Sequence, residues 1–192
     1  MKKPPEDIAA KLLGATEKMP LGSGFDVSID EAAKLSGVPR ATLYYYFSGR
    51  EDLSQFYLND LVDRSRIAIE KAAATEGGGE ARLTAIMRAV IGGFAEFPRM
   101  CIEMSSAFKA SDDHAAFLSN IDSAVMAPLR QVLEEGADAG ELEFADVSVT
   151  ANAIMGSLHQ VSLMKIILTG SLDPIEIEDA LFPQLLGGLL PR

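Results

Sequence analysis

The sequence has no tryptophan, one cysteine and two histidines among 192 residues, and each scarcity closes a class of function. A lone Cys101 forms no intrachain disulfide, which fits a reducing compartment. One cysteine with the separated His114 and His159 lacks the paired Cys/His spacing that holds zinc. There is no GxSxG, HExxH, P-loop or GxGxxG, so the signatures of several large enzyme classes are missing. The expectation is a non-enzyme with no cofactor and no metal. Long apolar runs are missing as well. The most apolar stretch, 153–168, is interrupted by His159, Gln160 and Lys165, short of the ~20 residues that a helical span needs. Residues 1–7 are charged and contain proline, unlike a signal peptide. A cytoplasmic chain without a membrane segment is expected.

Positive charge is also scarce. The formal net charge is −11, which by itself discourages nucleic-acid binding. The deficit is uneven: nine basic face eleven acidic residues up to Glu70, and eight face seventeen beyond it. No acidic residue lies between Leu35 and Arg50, so the chain has one local window of positive sign.

What is present reads as helix. The composition is 48% hydrophobic with little β-branched alternation, which favours an all-α chain with a substantial core. Ser28 followed by Glu31 has capping-box spacing and predicts a helix starting near Ser28, with Ile29, Ala32 and Ala33 on one face. Gly37 supplies the positive φ on which such a helix ends. Pro39 then opens a second helix running to about Tyr46, because the amide it lacks would be unpaired there. Two short helices joined through a glycine turn make a helix-turn-helix unit, whose second helix enters the major groove. Leu43 and Phe47 face inward on it, leaving Arg40, Thr42, Tyr44, Tyr45 and Tyr46 around the outside. A second capping box, Ser48 with Glu51, predicts a third helix with Arg50 in its first turn, placed to clamp a phosphate. Lys2, Lys3 and Lys11 add charge on a flexible N-terminal arm.

From Phe25 to Leu53 the chain resembles the DNA-binding domain of the TetR family of bacterial transcriptional regulators. The likeness runs through Gly24-Phe25, the capped helix from Ser28, Ala33, Gly37-Val38, Thr42-Leu43-Tyr44, Tyr46-Phe47 and Glu51 to Leu53. It departs at Ala32, where the family has a larger aliphatic residue, and at Pro39, where it has a capping serine. The resemblance implies a preceding helix over 7–19 with Ile8, Leu12, Ala15 and Met19 on one face. It implies that Tyr44 and Tyr46 contact phosphates, that Arg50 takes the place of the family's lysine, and that Ser28, Arg40, Ala41, Thr42 and Tyr45 lie near an operator. Residues 1–53 are then the DNA-binding domain, and 54–192 a helical effector-binding and dimerisation domain.

In that second part the punctuation predicts helices over 50–74, 80–96, 100–110, 114–139 with a bend at Pro128, 146–169 and 174–190. Phe94, Phe97, Met100, Met104, Phe108 and Phe117 gather adaptable apolar side chains near Pro98, with Met155 and His159 expected close by; such residues suit a small-molecule pocket. Val149, Ala153, Gly156, Ser157 and Gln160, together with Leu181, Leu185, Leu186 and Leu189, suit a homodimer packed through the last two helices. The expected activity is that of a homodimeric repressor, released from double-stranded operator DNA by a small apolar or amphipathic effector. The alternative is a TetR-like small-molecule or lipid carrier that binds no operator.

Overall fold

The computed structural model describes residues 2–19, 25–99, 101–102 and 119–191, and every regular element among them is helical. They divide into two compact units, one carried mainly by Met1–Leu61, the other by Val62–Cys101 and the C-terminal helices. Each helix starts and stops where the sequence supplies an end.

In the first unit, α1 spans Glu6–Ala15, with Glu6 and Asp7 in its first turn, where the helix dipole favours negative charge. The single helix expected over 7–19 is shorter. A 3-10 turn, Thr16–Lys18, follows Ala15, and Met19 is extended. The Thr16 hydroxyl donates to the Leu13 carbonyl (2.7 Å), the kind of local bond that competes with helix continuation. Leu12, Ala15 and Met19 are nevertheless buried, with Ile8 half-buried.

The next helix, α2, spans Ile29–Ser36 and begins as expected, the Ser28 hydroxyl accepting the Glu31 amide at 3.2 Å. Its end is doubly fixed. The Ser36 hydroxyl donates to the Ala32 carbonyl (2.6 Å) and accepts the Val38 amide (3.3 Å), while Gly37 takes φ 70°. The following helix, α3, covers Arg40–Tyr46, so Pro39 stands just outside as its N-cap residue rather than as the first helical residue. Proline suits that site too, its carbonyl accepting the Thr42 and Leu43 amides. Leu43 is fully buried on α3, and Phe47, the extended residue that ends this helix, is fully buried beside it rather than one turn along the same helical face. Each such side chain contributes about 1.5–3 kcal/mol of burial.

The long α4 spans Arg50–Ala73. Its start departs from the expected capping box: the Ser48 amide (2.9 Å) and hydroxyl (2.7 Å) both donate to Asp52, not Glu51. The carboxylate one residue further along reaches back over the turn and satisfies both donors. Phe25, at φ 59°, packs its ring against Tyr57 at 5.5 Å, and Phe56 bridges from Tyr57 (5.5 Å) to Phe47 (5.6 Å). This aromatic row ties α4 to the underside of the helix-turn-helix.

In the second unit, α5 (Gly79–Glu96), α6 (Ala127–Asp138), α7 (Val147–Thr169) and α8 (Pro174–Gly187) pack together, with α5 against the other three. The glycines at 77–79 break the chain before α5, as expected, and the Gly79 amide donates to the Glu141 carboxylate. Gly136 lies inside α6. A Cβ there would sit 2.8 Å or less from nothing but Leu142 Cδ1, at 2.6 Å, and would stand 3.4 Å from the Gly79 Cα, so α5 and α6 approach at glycine. The helix ends at Asp138, against the expected 139, and Gly140 follows at φ 72°. The expected bend at Pro128 takes a definite form: a π-turn, Asp122–Met126, precedes α6, and the Ala127 amide reaches back to the Asp122 carbonyl. Pro128 has no amide to continue an ordinary ladder, so the interruption falls beside it. Asp146 caps α7 and Gly170, at φ 79°, closes it. The last helix stops at Gly187, short of the expected 190. The expected helix over 100–110 and the first part of that over 114–139 lie outside the described residues.

Candidate nucleic-acid interface

The outward face of α3 carries a cation, a hydroxyl and aromatic rings because its inward face is spent on Leu43, with Phe47 buried just past its end. Arg40, Ala41, Tyr44 and Tyr45 are exposed, and Thr42 and Tyr46 are half-buried. Tyr45 and Tyr46 meet edge to face at 5.0 Å. The N-terminal segment joins this face: the Lys2 ammonium lies 4.1 Å from the centre of the Tyr45 ring, and the Lys2 amide donates to the Tyr46 carbonyl at 3.3 Å. Lys2 is therefore anchored rather than part of a free arm, because an open carbonyl at the end of α3 and an aromatic face both receive it. Lys3 is exposed beside it, whereas Ser28 uses its hydroxyl oxygen to cap α2.

The cations are paired across the fold. Arg40 Nε meets Asp30 Oδ1 at 2.6 Å, its Nη2 donates to the Tyr44 hydroxyl at 3.5 Å, and its guanidinium lies 5.3 Å from the Tyr44 ring centre. The Tyr44 hydrogen bond, and then the Asp30 charge, push the Arg40 pKa above its ordinary value. Arg50 Nε meets Asp26 Oδ1 at 3.2 Å. The positive window of the sequence is thus partly neutralised in space, by carboxylates that precede it in the chain. Asp26 and Asp30 were not singled out by sequence reasoning. They stand ten or more residues from their partners, across turns, where no helical spacing announces a contact.

Of the expected effector residues, Phe94 is buried, and Phe97, Met155 and His159 are half-buried, all in the second unit. Phe94 and His159 meet edge to face at 5.8 Å. His159 Nε2 lies 2.9 Å from the Cys101 carbonyl, and the Cys101 thiol points back to the His159 carbonyl at 3.7 Å. Burial pushes the Cys101 thiol up to about 12, far from a reactive thiolate. Met100, Met104, Phe108 and Phe117 lie outside the described residues. An open groove of about 550 Å³ at the start of α5, lined in part by Thr75, Glu80, Thr84 and Arg88, includes none of the expected effector residues.

On α7 the buried side holds Ala151, Ile154, Leu158, Ser162 and Ile166, and the opposite side is also largely apolar. Val149, Ala153, Gly156 and Gln160 are exposed there as expected, Ser157 is half-buried, and Met164 and Ile167 extend the same exposed stripe. Ile167 is 60% exposed, Leu168 74% and Ile175 on α8 69%. On the α8 side Leu181, Leu185 and Leu186 are half-buried. Leu189, expected on the exposed face, is buried instead. It lies beyond the end of α8, where the chain turns inward and the Leu189 carbonyl accepts the Glu143 amide at 2.7 Å.

Two family models match the chain: bacterial regulatory proteins of the tetR family over residues 12–55, and the tetracyclin repressor-like C-terminal domain over residues 76–163. The chain belongs to the TetR family. It is a helix-turn-helix transcriptional regulator, and α2 and α3 are the two helices of that motif. No curated protein matches this TetR-family chain in sequence. Solved structures share its fold at low identity. A tetR-family regulatory protein from Rhodococcus RHA1 has a TM-score of 0.80 and 19% identity, covering 96% of this chain and 97% of its own. The transcriptional regulator FadR from Bacillus subtilis, solved in complex with stearoyl-CoA, has a TM-score of 0.77 and 16% identity, covering 93% and 98%. The ketosteroid transcriptional regulator KstR2 of Mycobacterium tuberculosis has a TM-score of 0.76 and 15% identity, covering 100% and 99%. Among the described residues, no helix is long and apolar enough to cross a membrane, and no cluster of potential metal ligands occurs.

Proposed function

We propose that this TetR-family regulator is a homodimeric repressor that binds operator DNA through α2 and α3 and leaves it when a small apolar or amphipathic effector binds the second unit. The carrying observation is the division of α3, with Leu43 fully buried and Arg40, Tyr44 and Tyr45 turned outward. Tyr44, Tyr46 and Arg50 position the protein on phosphates, and Arg40, Thr42 and Tyr45 approach the bases. The release mechanism requires only that the effector bind better to a state whose two readers no longer match half-sites ~34 to 36 Å apart. Phe94, Phe97, Met155 and His159 supply the described part of the effector wall. The stearoyl-CoA bound to the similarly folded FadR supports an effector with a long apolar portion. The apolar stripe on α7 with Ile175 on α8 supports association with a second copy.

Selection of duplexes from a random pool, followed by affinity measurements on selected and scrambled DNA across a salt series, tests the reading. Selected DNA is expected to bind more tightly, with affinity falling as salt rises, and stearoyl-CoA serves as the first release probe. Equal affinity for both duplexes points to the carrier alternative.

A further inference from the structure

The Arg40–Asp30 pair has a geometry that leaves the reading end of the arginine open. A guanidinium has five N–H donors in a planar fork. Asp30 engages Nε, and Tyr44 engages one N–H of Nη2. N–H groups on both terminal nitrogens therefore remain for an outside acceptor. Two parallel N–H groups match O6 and N7 of guanine in the major groove, the commonest specific arginine contact. Arg40 is the first residue of α3, and the N-terminal residues of the second helix are those that meet base edges.

Asp30 is well placed to orient that fork. It lies in the first turn of α2, where the helix dipole favours its charge. An exposed ion pair contributes little to folding; Arg40 and Asp30 are 63% and 53% exposed. Its effect is to restrict a long side chain that otherwise loses rotamer freedom when it docks. Tyr44, one helical turn along, limits the same guanidinium from the other side.

Building on the DNA-binding reading above, we infer that Arg40 reads a guanine in each operator half-site and that Asp30 is the positioning residue that holds it in register. Asp30 is thus a determinant of specificity rather than a mere counter-charge. A counter-charge and a positioning residue make opposite claims about discrimination, which affinity alone does not separate.

The test uses the full chain and duplexes selected from a random pool, with each base of the enriched site then varied singly. One G·C pair per half-site is expected to be fixed, with discrimination of about 5- to 150-fold against other pairs. Arg40→Lys keeps the charge but not the planar fork, and is expected to lose the preference at that pair. Asp30→Asn weakens the preference at that pair alone, while binding to scrambled DNA stays equal or rises. A preference intact in Asp30→Asn, with affinity raised for every duplex, makes Asp30 a counter-charge and overturns the inference. So does a site in which no guanine depends on Arg40. If the unaltered chain selects no sequence, the DNA-binding reading itself fails, and this inference with it.

Discussion

Tyr57 belongs to the aromatic row beneath the helix-turn-helix, and its hydroxyl is buried without a hydrogen-bond partner among the described residues. Burial raises its pKa well above the ordinary phenol value, so the group stays neutral throughout the physiological range. A buried, unpaired hydroxyl costs about 1–3 kcal/mol, whereas the ring packs equally well without it. Tyr57→Phe is therefore expected to leave stability unchanged or raise it by about 1 kcal/mol, read from urea unfolding midpoints. A clear loss of stability would mean that the hydroxyl has a partner in solution. At this scale the sequence was a mixed guide. Leu43 was legible as inward-facing from its place on a short helix, and Phe47 is buried although the helix ends before it, but the partners of Arg40 and Arg50 were not legible. Those depend on how a turn brings Asp30 and Asp26 back toward α3 and α4.

At the scale of elements, ends were the most legible feature. Serine, glycine and proline act within three or four residues, and Ser28, Gly37 and Gly170 act where the sequence places them. Errors arose where two local options compete. Ser48 had acidic residues at both the third and fourth positions beyond it, and the turn geometry selected Asp52. The consequence can be measured. Bonds from the Ser48 hydroxyl and then its amide hold the Asp52 carboxyl below its ordinary range. The ionised group contributes its full stabilisation above the unfolded aspartate value of about 3.9, and loses it as pH falls through the lower native value. Asp52→Ala is expected to be less stable than the unaltered chain at pH 7, with the gap closing as pH falls below about 3.9. A gap of constant size between pH 7 and pH 2.5 would show that the carboxylate charge plays no part. Arg88–Glu178 and Arg130–Asp122 depress their carboxylates in the same direction, so the comparison rests on the difference between variants rather than on acid unfolding as such.

For the whole molecule, the decisive surface is the apolar stripe of α7. A helix that is apolar on both sides is ordinarily covered on both, and the described residues cover only one. With dimerisation through this stripe, Ile167→Glu places a charge in the covered interface and is expected to convert a dimer into a monomer at micromolar concentration, as read by light scattering. DNA affinity falls with it, since two linked readers bind far better than one. A monomeric unaltered chain would instead leave the stripe without the proposed partner.

The sequence by itself determined the all-helical class, the helix-turn-helix and the limits of most helices, because caps, breakers and short apolar spacings act locally. Only the tertiary structure decided that the positive window carries its own carboxylates, that Lys2 lies on Tyr45, that Leu189 turns inward and that one apolar side of α7 is left open among the described residues. Each of these joins residues that are distant in the chain, or selects one side of a helix whose two sides look alike in sequence. Such choices follow from packing and charge pairing in space, which no local pattern encodes.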